Sequence, residues 1–474
     1  NTYSLYIYGS NADLNSMSLS TDNTIDGKPV YLWKSQSGKT VPDDAGMVIL
    51  VSCSKVTVKN VALARNGQGI ILSSSDDCIV QNISCKSMYK DGILILGGSD
   101  RTVINDSLFY GSYHRGIELD TSTYTKIYNN IFIGSGEGVQ VNMNANTGNT
   151  IYNNTFSQNG AGIYFCGGAN TNSTIYNNTF FDNRDGFDGG VPEGFTIFNN
   201  YLWNEYDYGL DYLYAMKGRW NLSRSNGSNI VGGAYLGGNF WHNYTGNDTD
   251  GDGLGDTDVP FGPGDMLPLI ATPDGKAPSV TDKTSGTPTT GDDFNFTASA
   301  TDDTRVGGIQ LEYWINGADH HNLTMVKTSG NDTGASFRLD LRIPSNATYL
   351  VYRLSAWDLS GNWNSTEDTS VDVTDNDPPT ISDCTTRDRP TTGDSFLLQA
   401  VVTDNIGVTS VNLDYWCDDG AQTNVTLAGQ GDLYSQEVTI ESNATTLHYS
   451  VSAHDGAGNE LDGPKNNLTV ADND

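Results

Sequence analysis

The sequence predicts an all-β chain: a parallel β-solenoid followed by two immunoglobulin-like β-sandwiches. Three observations carry this. The first 240 or so of the 474 residues repeat with a period of 22 to 24. The last 200 or so hold two copies of one unit of about 100 residues. No segment combines helical periodicity with a strong helix composition.

The short period is clearest in Ile127-Tyr-Asn-Asn-Ile-Phe132, Ile151-Tyr-Asn-Asn-Thr-Phe156, Ile175-Tyr-Asn-Asn-Thr-Phe180 and Ile197-Phe-Asn-Asn-Tyr-Leu202. Two or three β-rich runs per period, separated by Gly, Asn, Asp and Ser, describe one coil of a solenoid. Coils about 4.8 Å apart stack each residue on its counterpart. One expected column is Asn60, Asn82, Asp106, Asn130, Asn154, Asn178 and Asn200, whose amides would bond one another and occupy αL corners. A second is Gly46, Gly69, Gly92, Gly116, Gly138, Gly162, Gly186 and Gly209. Strand alternation then sends Val139, Ile163 and Phe187 inward and Glu118, Gln140, Tyr164, Asp188 and Asp211 outward. The solenoid with its N-terminal cap is expected over 1–245, with 1–35 and 203–245 closing its two ends.

Residues 246–273 read as an acidic loop and linker. Asp248, Asp250, Asp252, the carbonyl of Leu254, and Asp256 take the spacing by which a chain wraps a hard, oxygen-loving cation, with Gly253 at the sharp turn. The loop resembles the calcium loops of EF-hands and thrombospondin type 3 repeats, and structural Ca2+ is the expected ion. Val259 stands where an EF-hand carries its bidentate Glu.

The two later units are expected at 274–375 and 376–474. Pro288-Thr-Thr-Gly-Asp292 matches Pro390-Thr-Thr-Gly-Asp394, and Trp357-Asp-Leu-Ser-Gly-Asn362 matches His454-Asp-Gly-Ala-Gly-Asn459. About seven alternating strands in each fit an immunoglobulin-like sandwich. The units resemble the Ig-like repeats of prokaryotic surface proteins, which implies spacer or adhesive roles. The junction Asp375-Asn-Asp377-Pro-Pro379 resembles the acidic linkers of calcium-dependent adhesion repeats.

Asn23-Thr-Ile-Asp-Gly-Lys-Pro-Val30, Val41-Pro-Asp-Asp-Ala-Gly46, Val56-Thr-Val-Lys-Asn-Val61 and Gly237-Gly-Asn-Phe-Trp241 resemble the NosD-like family over about residues 20–270. That resemblance implies a right-handed coil and a secreted protein, of a kind abundant in methanogenic archaea. The family includes a copper-enzyme maturation factor, surface proteins and relatives of carbohydrate-active β-helices. Six His without a His or Met cluster offer no copper set.

Composition narrows the function. Lys+Arg total 25 against 57 Asp+Glu, too few for a nucleic-acid face. The net charge of −32 favours solubility and cation binding. No apolar run approaches the ~18 residues of a membrane span. Seventeen Asn-x-Ser/Thr sites exceed the roughly ten that chance gives, and point to a secreted glycoprotein. Asn105, Asn153, Asn177, Asn243, Asn295, Asn322, Asn346, Asn364, Asn424, Asn443 and Asn467 are the expected glycan carriers. Six Cys without CxxC spacing offer no zinc site, and six in 474 residues are no disulfide scaffold; Cys384 and Cys417 fall in one unit and are candidates to bridge two strands.

No Ser/His/Asp set, phosphate loop or cofactor fingerprint appears, so the chain reads as a non-enzyme. The alternative is a polysaccharide-binding or polysaccharide-degrading solenoid using Glu118, Asp188 and Asp211; a third is an adhesin. The first residue is Asn1, so removal of a leader or excision from a longer precursor is expected. Val470-Ala-Asp-Asn-Asp474 repeats Val373-Thr-Asp-Asn-Asp377, where a further unit or another molecule would follow. Thr2, Tyr3, Leu5 and Ile7 alternate as a strand able to pair with a neighbour's sheet edge. The expected role is structural: an extracellular layer, sheath or head-to-tail filament, the partner being a further copy of the chain.

Overall fold

Each repeat folds into one coil of three short strands. Val103–Asn105, Leu108–Tyr110 and Arg115–Leu119 make one such coil. Every strand pairs in parallel with its counterpart in the next coil, which builds three sheets of ten, seven and eight strands. Among the described residues, the only antiparallel pair in them is Thr24–Ile25 with Lys28–Lys34. The computed structural model describes all residues except 1–4, 8, 10, 143–145, 167–170, 210–215, 272–273, 331–332, 387 and 473–474.

Stacking makes the core repetitive. Ile104, Ile127, Ile151, Ile175 and Ile197 pair in succession and are buried. Phe109, Phe132, Phe156 and Phe180 stack with ring centroids 4.7 to 4.9 Å apart. The glycine column exists because of these rings. A Cβ on Gly92, Gly116, Gly138 or Gly162 would lie 2.5 to 2.7 Å from the Phe of its neighbouring strand and 2.6 to 2.7 Å from the next glycine's carbonyl. Gly46 and Gly209 fall outside this column: Val48 pairs with Ile70, and Phe187 with Tyr208.

The expected single Asn column is in fact two. Asn60, Asn82, Asp106, Asn129, Asn153, Asn177 and Asn199 occupy the αL corner, with φ between 50° and 60°. Their neighbours Asn130, Asn154, Asn178 and Asn200 are buried and form the ladder. Each Nδ2 donates to the next Oδ1 at 2.9 to 3.1 Å, ending at Asn239. A one-residue shift between Asp106 and Asn130 hid this division, because Asn-Asn pairs fit either register. A second ladder runs Asn159, Asn183, Asn204 and ends on Asp207.

Both solenoid ends are closed by their own chain. At the first, helix Asn11–Ser16 brings Leu14 over Ile25, Val30, Met47 and Ile49. Leu5 N–H donates to Asn66 Oδ1 and Ile7 N–H to Gln68 Oε1. Leu5 and Ile7 thus spend these main-chain groups on the cap; Thr2 and Tyr3 lie outside the described residues. At the other end Trp220 and Trp241 are buried. Asp265 accepts from Asn239 N–H at 2.7 Å and from the Trp241 indole at 2.9 Å, terminating the ladder on a carboxylate.

The chain divides into two compact units, residues 1–278 with 302–307 and 357–363, and the remainder from 279 to 474. The second contains paired antiparallel sheets of four and five strands, twice. Tyr352 Oη donates to Asp282 and Tyr449 Oη to Asp383, both at 2.7 Å, the same tie in each copy of the immunoglobulin-like sandwich. All six cysteines are free; Cys417 is buried and Cys384 exposed, so they form no bridge.

Candidate functional site

Two surface features of the solenoid unit gather charged groups. The first is the 248–256 loop. Asp248, Asp250 and Asp256 bring carboxylate oxygens within 4.8 Å of one another. Gly251 and Gly253, at φ +79° and +84°, allow the reversal that no residue with a Cβ makes cheaply. Asp248 accepts from the N–H groups of Gly251, Asp252 and Gly253. Its carboxyl lies below the usual range, chiefly because of the Gly253 N–H. Thr249 does the same for Asp256. Asp252 pairs with Arg224 at 2.7 Å, and the same guanidinium lies 3.8 Å from Asp250. Arg224 lies over the Tyr235 ring at 4.1 Å, held by residues far from the loop in sequence. Leu254 is buried, anchoring the loop beside Tyr201, Ile230 and Leu269.

The second feature is a cleft on the long-strand sheet, a cavity of about 420 Å³ lined by Tyr113, His114, Glu137, Tyr164, Arg184 and Asp188 among others. Register explains its chemistry. Asp91, Arg115 and Glu137 are neighbours on successive coils, as are Glu118, Gln140, Tyr164 and Asp188. Arg115 is a hub, 3.2 Å from Asp91, 2.7 Å from Glu118 and 3.1 Å from Glu137. One guanidinium cannot neutralise three carboxylates. Burial, with Glu118 nearby, pushes Asp91 up to about 7 despite Arg115. Burial also raises Glu137 against the pull of Arg115. Burial, with Arg115 and Lys90, lowers His114. Tyr89 and Tyr113, 42% and 68% exposed, stack at 5.9 Å beside His114.

Sequence reasoning found Glu118 and Asp188 but placed Glu118 in the open. It is buried in the ion network, at 7% exposure. Asp211 lies outside the described residues. The strand offset sets Gly209 beside Asp188. Asp91, Arg115 and Glu137 were missed as a set, because only the coil register brings them together. Of the expected glycan sites, Asn153, Asn177, Asn243, Asn322, Asn346, Asn364, Asn424, Asn443 and Asn467 are exposed. Asn295 is half-buried and bonded to Asp340. Asn105 is corrected: it is buried in strand Val103–Asn105, where the next coil leaves no room for a glycan.

A family model described as periplasmic copper-binding protein (NosD) matches residues 7–189 and 192–246, and the chain belongs to the NosD family. Among curated proteins none matches it. Solved structures similar to parts of it include fibronectin(III)-like modules of Clostridium thermocellum CbhA, 16% identical over 41% of this chain and 95% of that one, TM-score 0.18. Titin domains I67–I69 match at 11% over 42% and 66%, TM-score 0.27. The mouse nectin-like molecule 4 ectodomain matches at 14% over 44% and 69%, TM-score 0.22. At this level of similarity none of the three bears on what the chain does.

The residues do not fit copper. Cys53, Cys78 and Cys85 lie in the apolar core, where burial pushes the Cys78 thiol up to about 11 and Cys85 further, away from the ligating thiolate. His242 is taken by Asp207 and His320 by Glu312. Among the described residues, every group of three converging His, Cys, Asp or Glu side chains is made of aspartates. Such donors suit Ca2+ or Mg2+ rather than copper. Among the described residues, no helix is long and apolar enough to cross a membrane.

Proposed function

We propose that this chain is a structural glycoprotein outside the cytoplasm, a subunit of a surface layer, sheath or head-to-tail filament. The observation that carries this reading is the unbroken axial stacking of the solenoid, in which Ile, Phe and Asn columns pass from coil to coil and are closed at both ends. Such a column resists bending and local unfolding, because each coil is clamped by two neighbours. Two sandwich domains follow the solenoid in sequence, and nine of the expected glycan sites are exposed. Ca2+ in the 248–256 loop, held by Asp248, Asp250 and Asp256, would stiffen the solenoid's closing segment. Electron microscopy of native material, with calcium and after chelation, tests the reading. Ordered fibres or sheets are expected. Monodisperse particles in both conditions would refute it.

The cleft favours a second reading, a saccharide-binding solenoid. Tyr113 and Tyr164 in its lining offer apolar ring faces, and Glu137, Arg184 and Asp188 offer hydroxyl partners. Calorimetric titration with neutral and acidic oligosaccharides tests this. Binding lost in Tyr113→Ala would support it, and heat unchanged in that variant would not.

A further inference from the structure

We infer that two sets of aspartates, one in each compact unit, are built sites for a divalent cation of the calcium type. The first is Asp274, Asp302 and Asp358, and the second is Asp375, Asp404 and Asp455. Both lie apart from the 248–256 loop, and the inference holds whether or not the chain assembles.

The same construction occurs twice. Asp358 is fully buried and Asp455 only 4% exposed. Asp358 Oδ1 accepts from the N–H groups of Ser360 and Asn362, and Asp455 Oδ1 from Ala457, Gly458 and Asn459. The Asn362 amide donates to Asp358 Oδ2 and to the Asp274 carbonyl. The Asn459 amide does the same for Asp455 and Asp375. Asp302 Oδ1 closes its turn on Thr304 and Arg305, and Asp404 Oδ1 on Ile406 and Gly407.

Turn closure explains only one oxygen of Asp302 and Asp404. The other, Oδ2 in each, is sealed from solvent and has no hydrogen-bond partner, as is Asp375 Oδ2. A shielded carboxylate oxygen with no donor is costly, and a native fold keeps it for a reason such as an ion. Among the described residues no Lys or Arg pairs with Asp302, Asp358, Asp375, Asp404 or Asp455. Three like charges are therefore crowded together in each set; among the described residues Lys276 partly offsets Asp274 in the first. Their oxygens lie within 4.8 Å of one another. All-carboxylate donors suit a hard, oxygen-loving cation such as Ca2+, with water completing its shell.

The test uses the full chain, stripped with chelator, in ~0.5 M NaCl to screen its diffuse negative charge. Calcium is added as the probe, and bound equivalents, melting temperature and regional hydrogen exchange are read. Asp302→Asn and Asp404→Asn keep the oxygen that closes each turn and remove one charge. Each variant should lose about one equivalent and part of the calcium-induced melting rise. Without calcium each should melt no lower than the parent, because a repelling charge is gone. In the parent, calcium should slow exchange at 302–307 and 357–363, and at 404–407 and 455–459. Asp250→Asn, in the exposed loop, should leave those protections intact. A double Asp302→Asn, Asp404→Asn variant with the parent's stoichiometry and melting rise would overturn the inference. So would a parent in which calcium protects neither region.

Discussion

Asn154 uses its whole side chain inside the solenoid. Its Oδ1 accepts from Asn130 N–H and Nδ2 at 3.0 and 3.1 Å, and its Nδ2 donates to Ile127, Tyr152 and Asn178. Replacement by Ala leaves those buried groups unpaired. Asn154→Ala should cost roughly 3 kcal/mol or more of solenoid stability by urea unfolding. An effect below about 0.5 kcal/mol would mean that water replaces the amide. Gly138 is constrained from the other side. A Cβ there meets Phe156 at 2.5 Å and the Gly162 carbonyl at 2.6 Å. Gly138→Ala should cost about 1–3 kcal/mol by overpacking, and pairing it with Phe156→Leu should recover part of the loss. Residues of this kind were legible in the sequence, because stacking repeats them at a fixed period. Which of two adjacent asparagines lies inside was not legible, since register is a property of paired strands.

The same limit applies to whole elements. Strand type and coil length follow from the period, and the two caps follow from the need to cover the first and last coils. Arg224 opposite Asp252 and the Arg115 hub do not, because they join residues that only the fold makes neighbours. The strand Asp91–Leu96 carries a further consequence. Asp91 is pushed up to about 7 and Asp265 up to about 6, in both cases foremost by burial. An unfolded Asp titrates near 3.9. Between about pH 4 and 7 the folded chain therefore binds more protons than the unfolded chain. The stabilisation from these groups is complete below about pH 4 and is lost as pH rises through 6 and 7. The urea midpoint of the solenoid should fall from pH 5 to pH 8. Asp91→Asn should flatten that slope while keeping an oxygen for Arg115. A parent midpoint that rises over this interval would contradict the protonation scheme.

Across the molecule, charge is distributed unevenly. Residues 274–474 carry 31 acids and 10 bases, a net of −21, against −11 for residues 1–273. Self-repulsion destabilises a compact state, and screening relieves it over a Debye length of about 10 Å at 0.1 M salt and about 3 Å at 1 M. The solenoid holds its acids partly in local pairs, such as Arg115 with three carboxylates and Arg101 with Asp76 and Asp77. The later half has fewer cations to do this. Raising NaCl from about 10 mM to 1 M without calcium should slow hydrogen exchange more in 279–474 than in the coils between 47 and 203. Calcium at millimolar concentration in the high-salt buffer should then add protection confined to the aspartate sites, since bulk screening is already complete. Equal protection of both halves by salt would mean that local pairing, not net charge, sets the stability of the sandwiches.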